Sequence, residues 1–316
     1  MIKTRLHIAH IGLLDAGPLL AAQEQGFFVE AGLDVHLSCE LGLASICGKL
    51  AERRLDGACL PAPLPVLLSL GAGLPRVPVQ VVQVCARQGM GLVLTTARPS
   101  GAAGAGPRVG VIAPGTPTRI FIQRLQQHAP SILPADVVSV PMAASQLLEF
   151  LREGMLDGFC GIDPLPSMAR LHGRAKIVAD SATLLPMHPC GVVALHGDLL
   201  EAHPRLAGAL GRALQRAREY CAAPANREAL WRRVLAQHPY ASLGEEDRAA
   251  LSGGEGATMR FDGRGHLAPG DDVAFLEAAC RGAIGPSARS LDLRAEIARV
   301  FAPCAATAVE PVVGKL

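Results

Sequence analysis

Short apolar runs alternate with amphipathic stretches along the first two thirds of the chain, the pattern of parallel βαβ units. An apolar strand is expected over 6–13. It runs into Asp15-Ala16-Gly17-Pro18, where an acidic cap and an early proline open a helix that closes at Gly26. The same reading gives a strand over 34–38, a helix over 43–53, a strand over 57–60, a helix over 65–70 and a strand over 79–86. A β-prone run at 91–96 follows, and the Gly/Ala/Pro-rich stretch 98–107 reads as an exposed linker.

A second set begins with a strand over 108–112. Thr116 is placed as a helix cap and Pro117 as the first helical residue of a helix over 118–128. A strand over 137–140, a helix over 143–153, a strand over 158–160, a short helix and a strand over 176–179 come next. The run 191–195 (GVVAL) is again strand-like. Beyond residue 198 the pattern turns helical, with helices near 198–221, 226–238, 271–282 and 290–301 and a Gly-rich loop at 252–265.

One block is written twice. LAERRLDGACLPAPLP at 50–65 and LREGMLDGFCGIDPLP at 151–166 share Leu55/Leu156, Asp56/Asp157, Gly57/Gly158, Cys59/Cys160, Pro63/Pro164 and Pro65/Pro166, always 101 residues apart. A spaced identity across a helix end, an Asp-Gly turn, a strand and a Pro-bearing loop points to two lobes of like construction. The runs at 91–96 and 191–195 bracket the second of them. If both cross between lobes, residues 1–91 with 192–316 form lobe I and 92–191 form lobe II, and the C-terminal helices pack on lobe I. Two crossover strands make a hinge, and the crevice between lobes is where a small ligand is expected.

Composition narrows the function classes. Aromatic residues are 3% of the 316, net charge is +2 and no basic run occurs, so the electrostatic footprint of a nucleic-acid binder is missing. Nine cysteines, an odd number without a Cys-x-x-Cys, argue against a disulfide framework and a compact zinc site, and favour a reducing compartment. No His spacing suggests a metal, and no cofactor is expected. The first apolar stretch is broken by His7, His10 and Asp15 and lacks a small-residue cleavage site, so the chain is expected to be cytoplasmic; no run reaches the roughly 20 apolar residues of a membrane span. A loose Gly-x-Gly-x-x-Gly match near 101–106 falls in the linker rather than after a strand and carries no weight.

The ordered set Asp15-Ala16-Gly17-Pro18-Leu19, Gly26-Phe27-Phe28, Gly32-Leu33-Asp34-Val35, Leu55-Asp56-Gly57-Ala58, Ala62-Pro63-Leu64-Pro65 and Asp157-Gly158-Phe159-Cys160 with Pro164 resembles the nitrate- and bicarbonate-binding proteins of bacterial ABC importers, a family that includes cytoplasmic nitrate/nitrite sensors. The resemblance runs from about residue 5 to 215 and more weakly to 305. It implies an α/β, bilobal, type II periplasmic-binding-protein-like fold, two lobes joined by two crossover strands, and no enzymatic activity. It also implies anion contacts from Trp, His, Gln and Lys where this chain has Leu43, Pro117, Met90 and Gly191, and a glycine where Ile162 stands. A buried oxoanion without charged or well-aimed donors loses several kcal/mol, so altered ligand choice is expected.

The candidate ligand-binding residues are Asp15, Leu43, Met90, Thr116, Thr118, Ile162, Asp163 and His188. Thr116 and Thr118 open a helix whose free N–H groups attract anions, although Pro117 removes one donor. Asp15 and Asp163 stand in matching loops, each either a helix cap or a pocket carboxylate that repels anions and favours a cationic or neutral polar ligand. His188 precedes the return crossover, and Leu43, Met90 and Ile162 make the cleft more apolar. The expected function is a cytoplasmic ligand sensor that binds a small molecule and acts through a regulatory protein partner. The rivals are an ABC importer's binding component, working with a permease and carrying a leader upstream of residue 1, and an enzyme on the same fold. Neither nucleic acid nor direct membrane insertion is expected.

Overall fold

The computed structural model describes residues 4–96, 106–112, 116–171, 173, 175–238, 240, 243–252 and 258–303. The opening segment alternates β1 (Thr4–His10), β2 (Leu33–Cys39), β3 (Gly57–Pro61) and β4 (Val79–Arg87) with α1 (Gly17–Glu24), α2 (Phe27–Glu30), α3 (Leu43–Ala51) and α4 (Leu64–Leu70). Helix α3 shows why: Leu43, Ile46, Cys47 and Leu50 are buried at the i, i+3, i+4, i+7 spacing of a core-facing stripe. The middle segment carries β5 (Met90–Thr95), β6 (Arg108–Ile112), β7 (Val138–Met142), β8 (Gly158–Ile162) and β9 (Ala175–Asp180), with α5 (Thr118–His128), α6 (Leu147–Arg152), α7 (Leu165–Leu171) and α8 (Ser181–Leu184). After β10 (Pro189–His196) come α9 (Gly197–Ala202), α10 (Leu206–Ala222), α11 (Arg227–Leu235), α12 (Glu245–Ser252), α13 (Asp271–Ile284) and α14 (Leu293–Val300).

Among the described residues the strands form two five-stranded sheets of the same construction, β2-β1-β3-β10-β4 and β7-β6-β8-β5-β9. In each, three parallel strands are followed by one antiparallel strand that comes from the other side of a crossover: β10 pairs antiparallel with β3, and β5 with β8. The crossings fall at 88–89 and within 181–188, just before the apolar runs expected to cross, so 91–95 and 191–195 lie in the sheets they enter. The crossings run side by side, with Gln88 donating its N–H to the His188 carbonyl at 2.9 Å.

The duplicated block builds the same joint twice. Asp56 accepts the His7 N–H on Oδ2 at 2.7 Å and returns its own N–H to the His7 carbonyl at 2.9 Å; Asp157 does the same with Arg108, at 2.7 and 2.9 Å. The adjoining glycines leave room for the antiparallel strand. A Cβ on Gly57 would stand 2.3 Å from the Ala194 carbonyl oxygen, and one on Gly158 would stand 2.3 Å from that of Val93. The aspartates therefore fix where β3 joins β1 and where β8 joins β6, and the glycines admit the antiparallel strands β10 and β5.

Several local expectations are corrected. Strand β1 ends at His10, because 14–16 form a 3-10 turn; Asp15 lies inside that turn, and α1 starts without a side-chain cap. Thr116 does not cap α5, since Pro117 holds the cap position in helical geometry and the Thr116 hydroxyl donates to Thr118 Oγ1 at 2.8 Å. The 198–221 helix is two, and α2, α8 and α12 had no counterpart in the sequence reading. The C-terminal helices do not all pack on the first sheet's side: α10 lies on α1 and β4 and α14 on α4, but α12 also packs on α7 and α13 on α5, helices of the second. Most of the 98–107 linker and the centre of the 252–265 loop lie outside the described residues.

Candidate ligand cleft between the sheets

The loops leaving the carboxyl ends of the parallel strands are where α/β sheets bind ligands. Here those loops come from both sheets and touch. The Leu14 N–H, in the loop after β1, donates to the Asp163 carbonyl, after β8, at 2.7 Å. A Cβ on Gly42, after β2, would lie 3.5 Å from that of Ala143, after β7. The two sheets therefore face each other across a shut cleft, and all eight predicted ligand residues are buried.

Asp15 is 5% exposed and lies against Gly191 of β10: a Cβ there would stand 2.7 Å from the Asp15 Cβ and 3.0 Å from its Oδ2. Burial pushes its carboxyl up to about 6, against the pull of the Ala16 amide and its own. Among the described residues it has no ion-pair partner. Cys59 and Cys190 flank it, with Cys59 Sγ 3.8 Å from the Asp15 carbonyl, and burial holds both thiols well above the usual range. Thiols so placed stay protonated and are poor nucleophiles.

Asp163 uses its carboxylate locally, Oδ1 accepting the Ser167 N–H at 3.1 Å and hydroxyl at 2.7 Å, the bonds that open α7. Burial raises its pKa, opposed by Ser167 and Arg170. On the same side the Thr118 hydroxyl reaches the buried Cys160 thiol.

The apolar trio is split between the sheets. Met90 and Ile162 are register partners on β5 and β8, with the Met90 N–H on Ser181 Oγ at 3.0 Å, while Leu43 opens α3 on the first sheet's side. His188 sits at the hinge rather than with the aspartates. Its Nδ1 is 2.7 Å from the Leu185 carbonyl, its ring centroid is 5.0 Å from that of Phe275, and Nε2 has no partner among the described residues. Burial lowers its pKa to about 4, the Leu185 carbonyl opposing; Arg87 lowers it further and Asp272 raises it.

One residue of this neighbourhood escaped the sequence reading. Tyr240 is 3% exposed, and its buried hydroxyl has no hydrogen-bond partner among the described residues. Burial raises its pKa, and the charges of Cys39, Asp15 and Asp163 add to the shift. The chain has two tyrosines, but nothing in Gln237-His238-Pro239-Tyr240 ties this one to loops more than 200 and about 80 residues earlier.

Two cavities lie elsewhere: about 280 Å³ between α7 and α12, lined by Ser167, Arg170 and Leu251, and about 400 Å³ beside Trp231, Met259 and Phe261. Among the described residues no cluster of His, Cys, Asp and Glu could hold a metal, and no helix is long and apolar enough to cross a membrane.

Comparison with known proteins places this geometry. A family model described as "NMT1-like family" matches residues 2–235. A bicarbonate transport ATP-binding protein, CmpC of Synechocystis sp., is 31% identical over 276 residues, 82% of this chain and 41% of the relative. The bicarbonate-binding protein CmpA of Synechococcus elongatus is 29% identical over 251 residues, 72% of this chain and 55% of the relative. The chain thus spans about half the length of these curated relatives. The crystal structure of the periplasmic nitrate-binding protein NrtA from Synechocystis superposes with a TM-score of 0.81 at 22% identity, covering 98% of this chain and 89% of NrtA. The aliphatic sulphonate-binding protein SsuA of Escherichia coli gives 0.65 at 13% identity, covering 95% and 99%. The fold is that of the type II periplasmic binding proteins.

Proposed function

The chain belongs to the NMT1-like family, and from that membership we propose that it is a non-enzymatic small-molecule-binding protein of the nitrate/bicarbonate type, acting in the cytoplasm as a ligand sensor with altered specificity. The observation that carries this reading is the Leu14–Asp163 hydrogen bond, which joins loops from the two sheets. A ligand enclosed there stabilises the shut state over the open one, and that difference is the signal a partner protein reads.

The sheets support lobe limits close to 1–91 with 192–316 and 92–191. Asp15, Leu43, Met90, Thr116, Thr118, Ile162 and Asp163 are proposed to line the closed cleft, and His188 to act beside the hinge. Altered specificity follows from the buried, unpaired Asp15 carboxylate, which opposes an anion. Among the described residues all eight cysteines are free, which fits a reducing compartment. Thiols held protonated support a binding rather than a catalytic role.

A second reading, a binding unit working directly with an importer's permease and ATPase, is favoured by the match to CmpC, an ATP-binding transport protein of which this chain covers 41%. Calorimetry and thermal shift across nitrate, bicarbonate, carboxylates, amines and purines test binding; a saturable ligand that raises the melting temperature is expected. A flat response throughout overturns the reading, as does turnover of a bound molecule. Co-purification with a permease and ATPase selects the transport role, and with a soluble regulator the sensing role.

A further inference from the structure

We propose that the cleft receives an organic cation, an amine or amidinium, whose positive charge the Asp15 carboxylate takes while the Tyr240 hydroxyl accepts one of its N–H groups. This inference rests on the binding reading above and names the chemistry of its ligand.

The argument starts from what the two buried groups lack. A carboxylate removed from water needs a counter-charge or several strong donors. Asp15 has its own backbone amide and that of Ala16, and among the described residues no Lys, Arg or His pairs with it. The neighbouring position on β10 is Gly191, where even a Cβ would crowd the carboxylate, so no side chain from that strand supplies the missing charge. Its other close neighbours are the protonated thiols of Cys59 and Cys190. Asp163, across the cleft, is in contrast spent on Ser167.

Tyr240 is the independent observation. A buried phenol ordinarily finds a hydrogen-bond partner, and the Tyr240 hydroxyl has none among the described residues; its segment packs on the loop that carries Asp15, where a Cβ on Gly12 would stand 3.0 Å from the His238 carbonyl oxygen and the Cys39 thiol lies 3.1 Å from it. Two acidic neighbours and a free oxygen acceptor suit a donor-rich positive group. Nitrate and formate offer acceptors only, and any oxoanion would bring negative charge toward Asp15. Leu43, Met90 and Ile162, buried residues proposed above to line the same cleft, match an alkyl body behind the charged end.

The test is calorimetric titration of the full chain with methylamine, putrescine and agmatine against nitrate, bicarbonate and formate, repeated on Asp15→Asn, with circular dichroism melts to confirm that the variant folds. At least one amine is expected to bind saturably to the parent chain, at least tenfold more weakly to Asp15→Asn, and the anions not at all. An amine that binds both proteins equally overturns the role of Asp15 and leaves the binding reading standing, and so does saturable binding of an anion in place of the amines. No binding by any probe, with both proteins folded, overturns this inference; if the carboxylates and purines are silent too, the binding reading falls with it.

Discussion

The guanidinium of Arg87 holds the carboxylate of Asp272 at both oxygens, 3.1 and 2.9 Å, in a pair almost sealed from solvent. Arg87 ends β4 at the first crossing. It also donates to the carbonyls of Met187 at the second crossing, at 2.6 Å, and of Arg264 and His266 at 3.1 and 2.8 Å. One buried cation thus ties both crossings to the segment that leads into α13. Gln88 beside it does likewise, its amide donating to the Thr258 carbonyl and accepting the Met187 N–H.

Removing the carboxylate leaves that cation unpaired. Asp272→Ala is expected to cost about 3–5 kcal/mol, the usual penalty for breaking a buried pair from one side. Urea denaturation measures it, and a loss below about 1 kcal/mol contradicts a structural role.

The glycines of the duplicated block should respond alike. Gly57→Ala and Gly158→Ala each press a methyl into a carbonyl of the adjacent strand, so each is expected to destabilise by about 1–3 kcal/mol or more. Gly48→Ala is the control. It sits inside α3 with nothing near its added methyl and should gain about 0.5–1 kcal/mol from helix propensity. The three melting curves together distinguish close approach from a general intolerance.

The pH dependence has two opposing parts. Asp15 has a folded pKa raised to about 6, so the folded chain binds the extra proton between the unfolded value and 6; this contribution is full below about 4 and is lost as pH rises through 6. His10 and His188, lowered to about 4, act oppositely, contributing fully above about 6.5 and failing as pH falls toward 4. Asp15→Asn deletes the first part alone. It should be more stable than the parent at pH 7.5, by roughly 2–3 kcal/mol, and should lose stability more steeply between pH 7 and 4. Urea midpoints at pH 5 and 7.5 read both signs.

Tyr240→Phe removes a buried hydroxyl that has no partner. The unliganded protein is expected to hold or gain about 1 kcal/mol, as removing an unsatisfied polar group allows. Thermal melts check it, and a clear loss points to a partner supplied by the protein itself.

Much of the fold was legible because its signals are local. The strand 108–112 and the helix 118–128 match β6 and α5 in their bounds, and the twin Asp-Gly blocks mark the twin joints at His7 and Arg108. The Asp15 cap does not form, since a 3-10 turn over 14–16 precedes Gly17-Pro18, and Leu14 in that turn bonds to Asp163, 149 positions away. Helix α12 has polar residues through its first turns, Glu-Glu-Asp-Arg, and owes its place to packing on α7 and α11. The Arg87–Asp272 pair and the approach of Tyr240 to Asp15 join residues 185 and 225 positions apart, and no spacing rule reaches that far.

The strand exchange between sheets also orders the making of the molecule. Every strand of the second sheet has been synthesised by Asp180, whereas in the first sheet β4 gains its neighbour only when β10 slides in beside β3. The half written first is therefore finished last. While the middle of the chain leaves the ribosome, the edges of β3 and β4 stand open to wrong pairings until residue 196 has emerged.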